Sequence, residues 1–171
     1  MKRASIVVVD AAHARLFTYT ESEGGPTLSD EHSLSNSERQ VQHQFTDAAG
    51  MNPGVVGSGG QPGTSHKGGH GTADDHRSGH MAELDHRFAK TIVGELTARA
   101  KASKSEHVII VAAPAMLGVL RKETGALEKS GIALTELDQN LGGMSLSQIQ
   151  DKLAHLGLIG AHKRPANPNA H

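Results

Sequence analysis

The 171-residue chain contains no cysteine and no tryptophan. Without cysteine there are no disulfides and no thiolate metal or redox sites, which suits a reducing compartment. Aromatic side chains are scarce, limited to Phe17, Tyr19, Phe45 and Phe88. The core must therefore be aliphatic. Neither sign of charge dominates, with 17 basic and 18 acidic residues. A free-standing nucleic-acid binder normally carries a basic excess, so strong non-specific RNA or DNA binding is not expected. No apolar run approaches the roughly 20 residues of a membrane span. The first residues, MKRASIVVVDAAHA, imitate a secretory signal, but the apolar run is about five residues long and ends at Asp10. A signal needs an apolar region of roughly 7–15 residues. The stretch reads as a buried strand, and the chain as cytoplasmic.

What is present reads as one α/β domain over residues 1–159, a length that supports a real core. Residues 4–10, ASIVVVD, form a continuous β-branched run, the pattern of a strand buried on both faces. ARLFTYT (14–20) alternates, with Leu16, Thr18 and Thr20 on one face. Gly24-Gly25-Pro26 marks a turn, and a third strand follows near 27–34. From Ser35 to His80 no periodicity is dependable, apart from a short turn around 38–44. Ten of the chain's twenty glycines fall between Gly50 and Gly79. So long a structureless stretch is uncommon in a compact domain, which predicts a mobile Gly/His-rich loop at about 49–79.

Periodicity resumes in a helix at about 80–103, where Leu84, Phe88, Ile92, Leu96 and Ala100 recur every fourth residue. HVIIVAA (107–113) is another buried strand. Pro114 opens a second helix with Met116, Leu117 and Leu120 inward and Gly125 near its stop. IALTELD (132–138) alternates as a strand. Residues 145–159 give a last helix capped by Ser145 or Ser147, and 160–171 form a frayed tail. The predicted order is β-β-β-loop-α-β-α-β-α, a mixed sheet covered by helices, with no internal repeat.

That order is shared with ribonuclease H-like nucleases, which hold two metal ions with carboxylates. Asp10 ends the first strand, and Glu83 or Glu95 could serve from the helix. The fourth strand carries no carboxylate, and two-metal chemistry needs several converging anionic oxygens. The plainer expectation is that Asp10 caps its turn through backbone amides. No phosphate loop, dinucleotide fingerprint or Gly-x-Ser-x-Gly elbow is present.

Two sets of loop residues carry chemistry. His66/His70 and His76/His80 have the i,i+4 spacing that on a helix directs two imidazoles to one divalent metal, zinc or nickel. Asp74 and Asp75 add oxygen ligands, although a polar His-biased tract also binds such ions weakly. Gly59-Gly60-Gln61 is the other set. Paired glycines reach backbone angles closed to other residues. A glutamine at the tip could then orient a water and stabilise an oxyanion at an ester carbonyl.

IVVVDAAHARLF (6–17), LDHRFAKTIVGEL (84–96) and HVIIVAAPAMLGVLRKE (107–123) resemble the bacterial host attachment protein family, over residues 4–159. The resemblance rests on Asp10 followed by Ala14-Arg15-Leu16-Phe17, on Arg87-Phe88-Ala89, and on Ala113-Pro114 with Leu117-Gly118. That family is in turn similar to the middle domain of archaeal and eukaryotic peptide release factors. The resemblance implies a release-factor middle-domain fold, with Gly59, Gly60 and Gln61 matching the catalytic tripeptide and Arg87-Phe88-Ala89 the helix behind it. It implies a ribosome or tRNA partner and assistance to peptidyl-tRNA ester hydrolysis. Twenty-five residues separate Gln61 from Arg87, more than in release factors. The alternative is a non-enzymatic attachment- or stress-related interaction protein with a His-rich metal-binding loop. The missing export signal favours an indirect role in attachment.

Overall fold

A computed structural model describes residues 2–40 and 72–161. Its strands are β1 (Arg3–Val9), β2 (His13–Ser22), β3 (Gly25–Ser35), β4 (His107–Ala112) and β5 (Ala133–Asp138). Its helices are α1 (Thr72–Ala102), α2 (Pro114–Leu120), α3 (Gly125–Lys129) and α4 (Leu146–His155). The strands form one mixed sheet in the order β3-β2-β1-β4-β5. The first three are antiparallel neighbours, whereas β4 runs parallel to both β1 and β5.

β1 and β4 lie at the centre, and from Ala4 to Val9 and Val108 to Ala112 every residue is buried. Continuous apolar runs occur where helices cover both faces of a sheet. One face packs Val7, Val9, Leu16, Val108 and Ile110 against α1, α2 and α3. The other packs Ile6, Val8, Phe17, Tyr19, Ile109 and Val111 against Ile149 and Leu153 of α4. The alternation expected along β2 places its side chains in both layers. Leu16 enters one cluster while Phe17 and Tyr19 enter the other, and Thr18 and Thr20 are only half-buried. The turn between β2 and β3 is tight, pairing Ser22 with Gly25, whose φ of 109° favours glycine.

The long helix begins earlier than its apolar stripe. Leu84, Phe88, Ile92, Leu96 and Ala100 are all buried, but α1 starts at Thr72. Residues 72–79, expected in the loop, are therefore helical. A helix nucleated by its packed turns extends at little cost through polar residues, and Asp74 and Asp75 fall in its favoured acidic first turn. The expected second helix is likewise two pieces. α2 stops at Leu120, and Gly125 opens α3 rather than ending a helix. Ser145 is the cap of α4, in a reciprocal capping box with Gln148.

The α1–β4 connection is fixed by hydroxyls. Ser105 Oγ lies 2.8 Å from Ser5 Oγ and 2.7 Å from Ser103 Oγ. The Arg3 guanidinium donates to the Ser103 carbonyl at 3.1 Å. Buried Ser5 and Ser105 thus satisfy each other. No helix among the described residues is long and apolar enough to cross a membrane.

Candidate functional site

β1 leads sideways to β2, whereas β4 leads the opposite way to β5. Between the carboxyl ends of β1 and β4 the sheet therefore has a switch point, the usual place for a ligand crevice in such folds. Asp10 follows β1 there. Its Oδ1 accepts from the Ala12 and His13 amides at 2.8 and 2.6 Å, the turn-capping role expected from sequence. The His13 Nδ1 lies 3.5 Å from the same oxygen.

The chain leaving β3 is fastened beside this turn. The Asn36 amide donates to the Ala12 carbonyl at 2.7 Å, and its Oδ1 accepts from the Arg39 amide at 3.3 Å. Gln40 Nε2 lies 2.7 Å from His13 Nε2. Arg39 is ion-paired with Asp85 of α1, and both are partly buried. Glu38 and Arg87 approach to 3.8 Å. The point where the chain enters residues 41–71 is thus tied both to the β1–β2 turn and to the helix that follows that segment.

Against these pairs lies a cleft of about 470 Å³ between α1 and the start of α2. Small residues form its walls: Ala11, Gly79, Ala82, Ala113 and Ala115. Met116 and Val119 underlie it, Arg39 and Lys122 bring positive groups to it, and His86 an imidazole. The acids nearby are already engaged. Asp85 pairs with Arg39, Glu83 with Arg87 at 3.6 Å, and Glu123 with His86 at 3.4 Å. A second cavity of about 470 Å³ lies at the amino ends of the strands, among Lys2, Glu106, His107 and Gly157–Gly160. There the chain closes on itself, with the Gly160 amide donating to the Tyr19 hydroxyl at 2.8 Å.

Gly59, Gly60, Gln61, His66 and His70 lie outside the described residues. His76 and His80 fall within α1, one turn apart, and His80 is exposed. No group of three His, Asp or Glu side chains suited to a metal occurs among the described residues. The nuclease carboxylates do not converge either. Asp10 is held by its own turn, and Glu95 pairs with Arg99 at 3.8 Å, three helical turns beyond Glu83. Sequence reasoning missed Arg39, Asp85, His86 and Lys122, because only the docking of α1 against α2 and the residue 37–40 turn assembles them. The one local signal was Asp10 two and three residues before the amides it caps.

Comparison with known proteins gives one family. The family model described as "protein required for attachment to host cells" matches residues 5–153. No curated protein matches. Among solved structures, the chain is similar to the Ppx/GppA family member of Aquifex aeolicus at 11% identity and a TM-score of 0.36. The match covers 80% of this chain and only 35% of that one.

Proposed function

We propose, from the premise that this chain belongs to the family of proteins required for attachment to host cells, that it is a translation-associated factor. It presents the segment carrying Gly59-Gly60-Gln61 to a ribosome- or tRNA-containing partner and assists hydrolysis of a peptidyl-tRNA ester. The observation behind this reading is the double fastening at the segment's base. Arg39–Asp85 and Gln40–His13 hold the departing chain against the body from which α1 returns. A fixed base lets a tripeptide be offered at a definite distance. Gln61 stands eleven residues before Thr72, so extended chain could carry it at most about 36–40 Å from the helix start. At an ester carbonyl the glutamine amide and a glycine N–H would orient water and stabilise the oxyanion, with no titrating side chain needed.

Co-sedimentation with ribosomes at low and physiological salt, followed by peptidyl-tRNA hydrolysis with wild type and Gln61→Ala, tests the reading. Binding with hydrolysis lost in Gln61→Ala supports it. Absence of binding even at low salt rejects it.

One observation favours a second reading. Because α1 begins at Thr72, His76 and His80 share a helix at the i,i+4 spacing of paired metal ligands. In that reading the chain is a non-enzymatic interaction protein that takes up zinc or nickel. Replacing His66, His70, His76 and His80 together should abolish stoichiometric uptake in calorimetry. Uptake that survives the replacement excludes these ligands.

A further inference from the structure

We infer that the switch-point cleft binds a nucleoside monophosphate group, either as a free nucleotide or as the terminal nucleotide of an RNA strand. The inference goes beyond the loop reading; it uses none of Gly59, Gly60 and Gln61 and shares with that reading only the Arg39–Asp85 pair. Position is the first argument: Ala11 and Ala113 put the cleft at the carboxyl ends of two parallel strands whose connections diverge.

Size and wall chemistry are the second. About 470 Å³ falls within the usual range for small-ligand sites. Gly79, Ala82, Ala113 and Ala115 carry nothing longer than a methyl group, so facing helices leave a slot that suits a flat ring. A Cβ added at Gly79 would meet no atom within 4 Å. Met116 is buried beneath the slot, and a thioether packs favourably against an aromatic ring edge.

Charge is the third argument. Asp85 and Glu83 each already face a guanidinium, Glu123 faces the His86 imidazole, and the Asp10 carboxylate is held by two amides. Among the described residues lining the cleft, a cationic ligand would find no uncommitted acid. Lys122, by contrast, forms no ion pair among the described residues. Arg39 spends one guanidinium nitrogen on Asp85 and retains other N–H donors. Together they suit a phosphate monoester at the rim, with the base inside.

The test is a two-dimensional NMR titration of the whole chain with AMP and, separately, with a trinucleotide RNA ending in adenosine. Saturable shifts in the amides of Ala82, Ala115, Met116 and Lys122 by either probe are expected. Lys122→Glu should weaken binding by about tenfold or more, the usual loss for one charge-assisted contact. Ala82→Leu should block the slot. Both positions are exposed, so neither change should unfold the protein, and circular dichroism checks this. Gln61→Ala should leave AMP binding unchanged, which lets this inference and the hydrolysis reading fail separately. No saturable shift into the millimolar range with either probe, or binding indifferent to both cleft variants, overturns the inference.

Discussion

Gly142 lies against the Asp10 carboxylate so closely that a Cβ at 142 would sit 2.9 Å from Oδ2 and 3.2 Å from the Asp10 Cβ. The carboxylate cannot swing aside, because its other oxygen holds the Ala12 and His13 amides. The loop after β5 thus braces the turn after β1. Gly142→Ala should cost about 1–2 kcal/mol, the usual penalty for overpacking a fitted contact. In an Asp10→Ala background, which removes Oδ2 but keeps the Cβ, the same change should cost less. Urea unfolding of the four proteins in the cycle checks this, and equal costs in both backgrounds would contradict the contact.

The Arg39–Asp85 pair ties the 37–40 turn to α1, with the two side chains 24% and 19% exposed. A partly buried pair of this kind should be worth roughly 1 kcal/mol, at the upper end for exposed pairs. Asp85→Asn should lower Tm by about 2–4 °C for a chain this size. Limited proteolysis within residues 41–71 should accelerate more than global unfolding does. A rate unchanged by the substitution would show that the pair does not secure the segment's base.

Burial holds the His107 imidazole below its ordinary value of 6.5. Its Nε2 lies 2.8 Å from Thr135 Oγ1 on the neighbouring strand. The folded state therefore favours the neutral ring. Above about pH 6.5 this stabilisation is intact, and it is lost as pH falls through the lowered folded value. Tm followed from about pH 7.5 down to about pH 5 should fall less steeply in His107→Gln than in wild type. Parallel curves would show that His107 does not contribute.

Ile92 is fully buried at the centre of the α1 stripe. Ile92→Ala should destabilise by roughly 2–5 kcal/mol through lost burial and a residual cavity. A fall in denaturation midpoint without a change in slope would confirm it. A cost below 1 kcal/mol would mean that α1 is not packed as described.

Removing the Tyr19 hydroxyl tests the closure at the amino edge. Tyr19→Phe leaves the Gly160 amide without its acceptor, at a cost of about 1 kcal/mol. Hydrogen exchange at Gly160 should quicken, whereas amides in β1 and β4 should keep their protection.

The sequence by itself determined the elements that bury continuous or periodic apolar surface. IVVV at β1 and VIIVA at β4 read as strands covered on both faces, and Leu84, Phe88, Ile92 and Leu96 as one face of a helix, as the structure has them. These patterns depend on near neighbours, so they survive without knowledge of the fold. The helical run from Thr72, the break between α2 and α3, and the double-sided burial of β2 needed the tertiary structure. Each depends on what packs opposite, and polar residues 72–79 carry no pattern of their own. The cleft belongs to the same class. Ala82, Ala115 and Lys122 are unremarkable in sequence, and only the crossing of α1 over α2, at the point where β1 and β4 part, sets small walls beside unspent positive charge. Local periodicity encodes burial, whereas a site is made by residues distant in the chain.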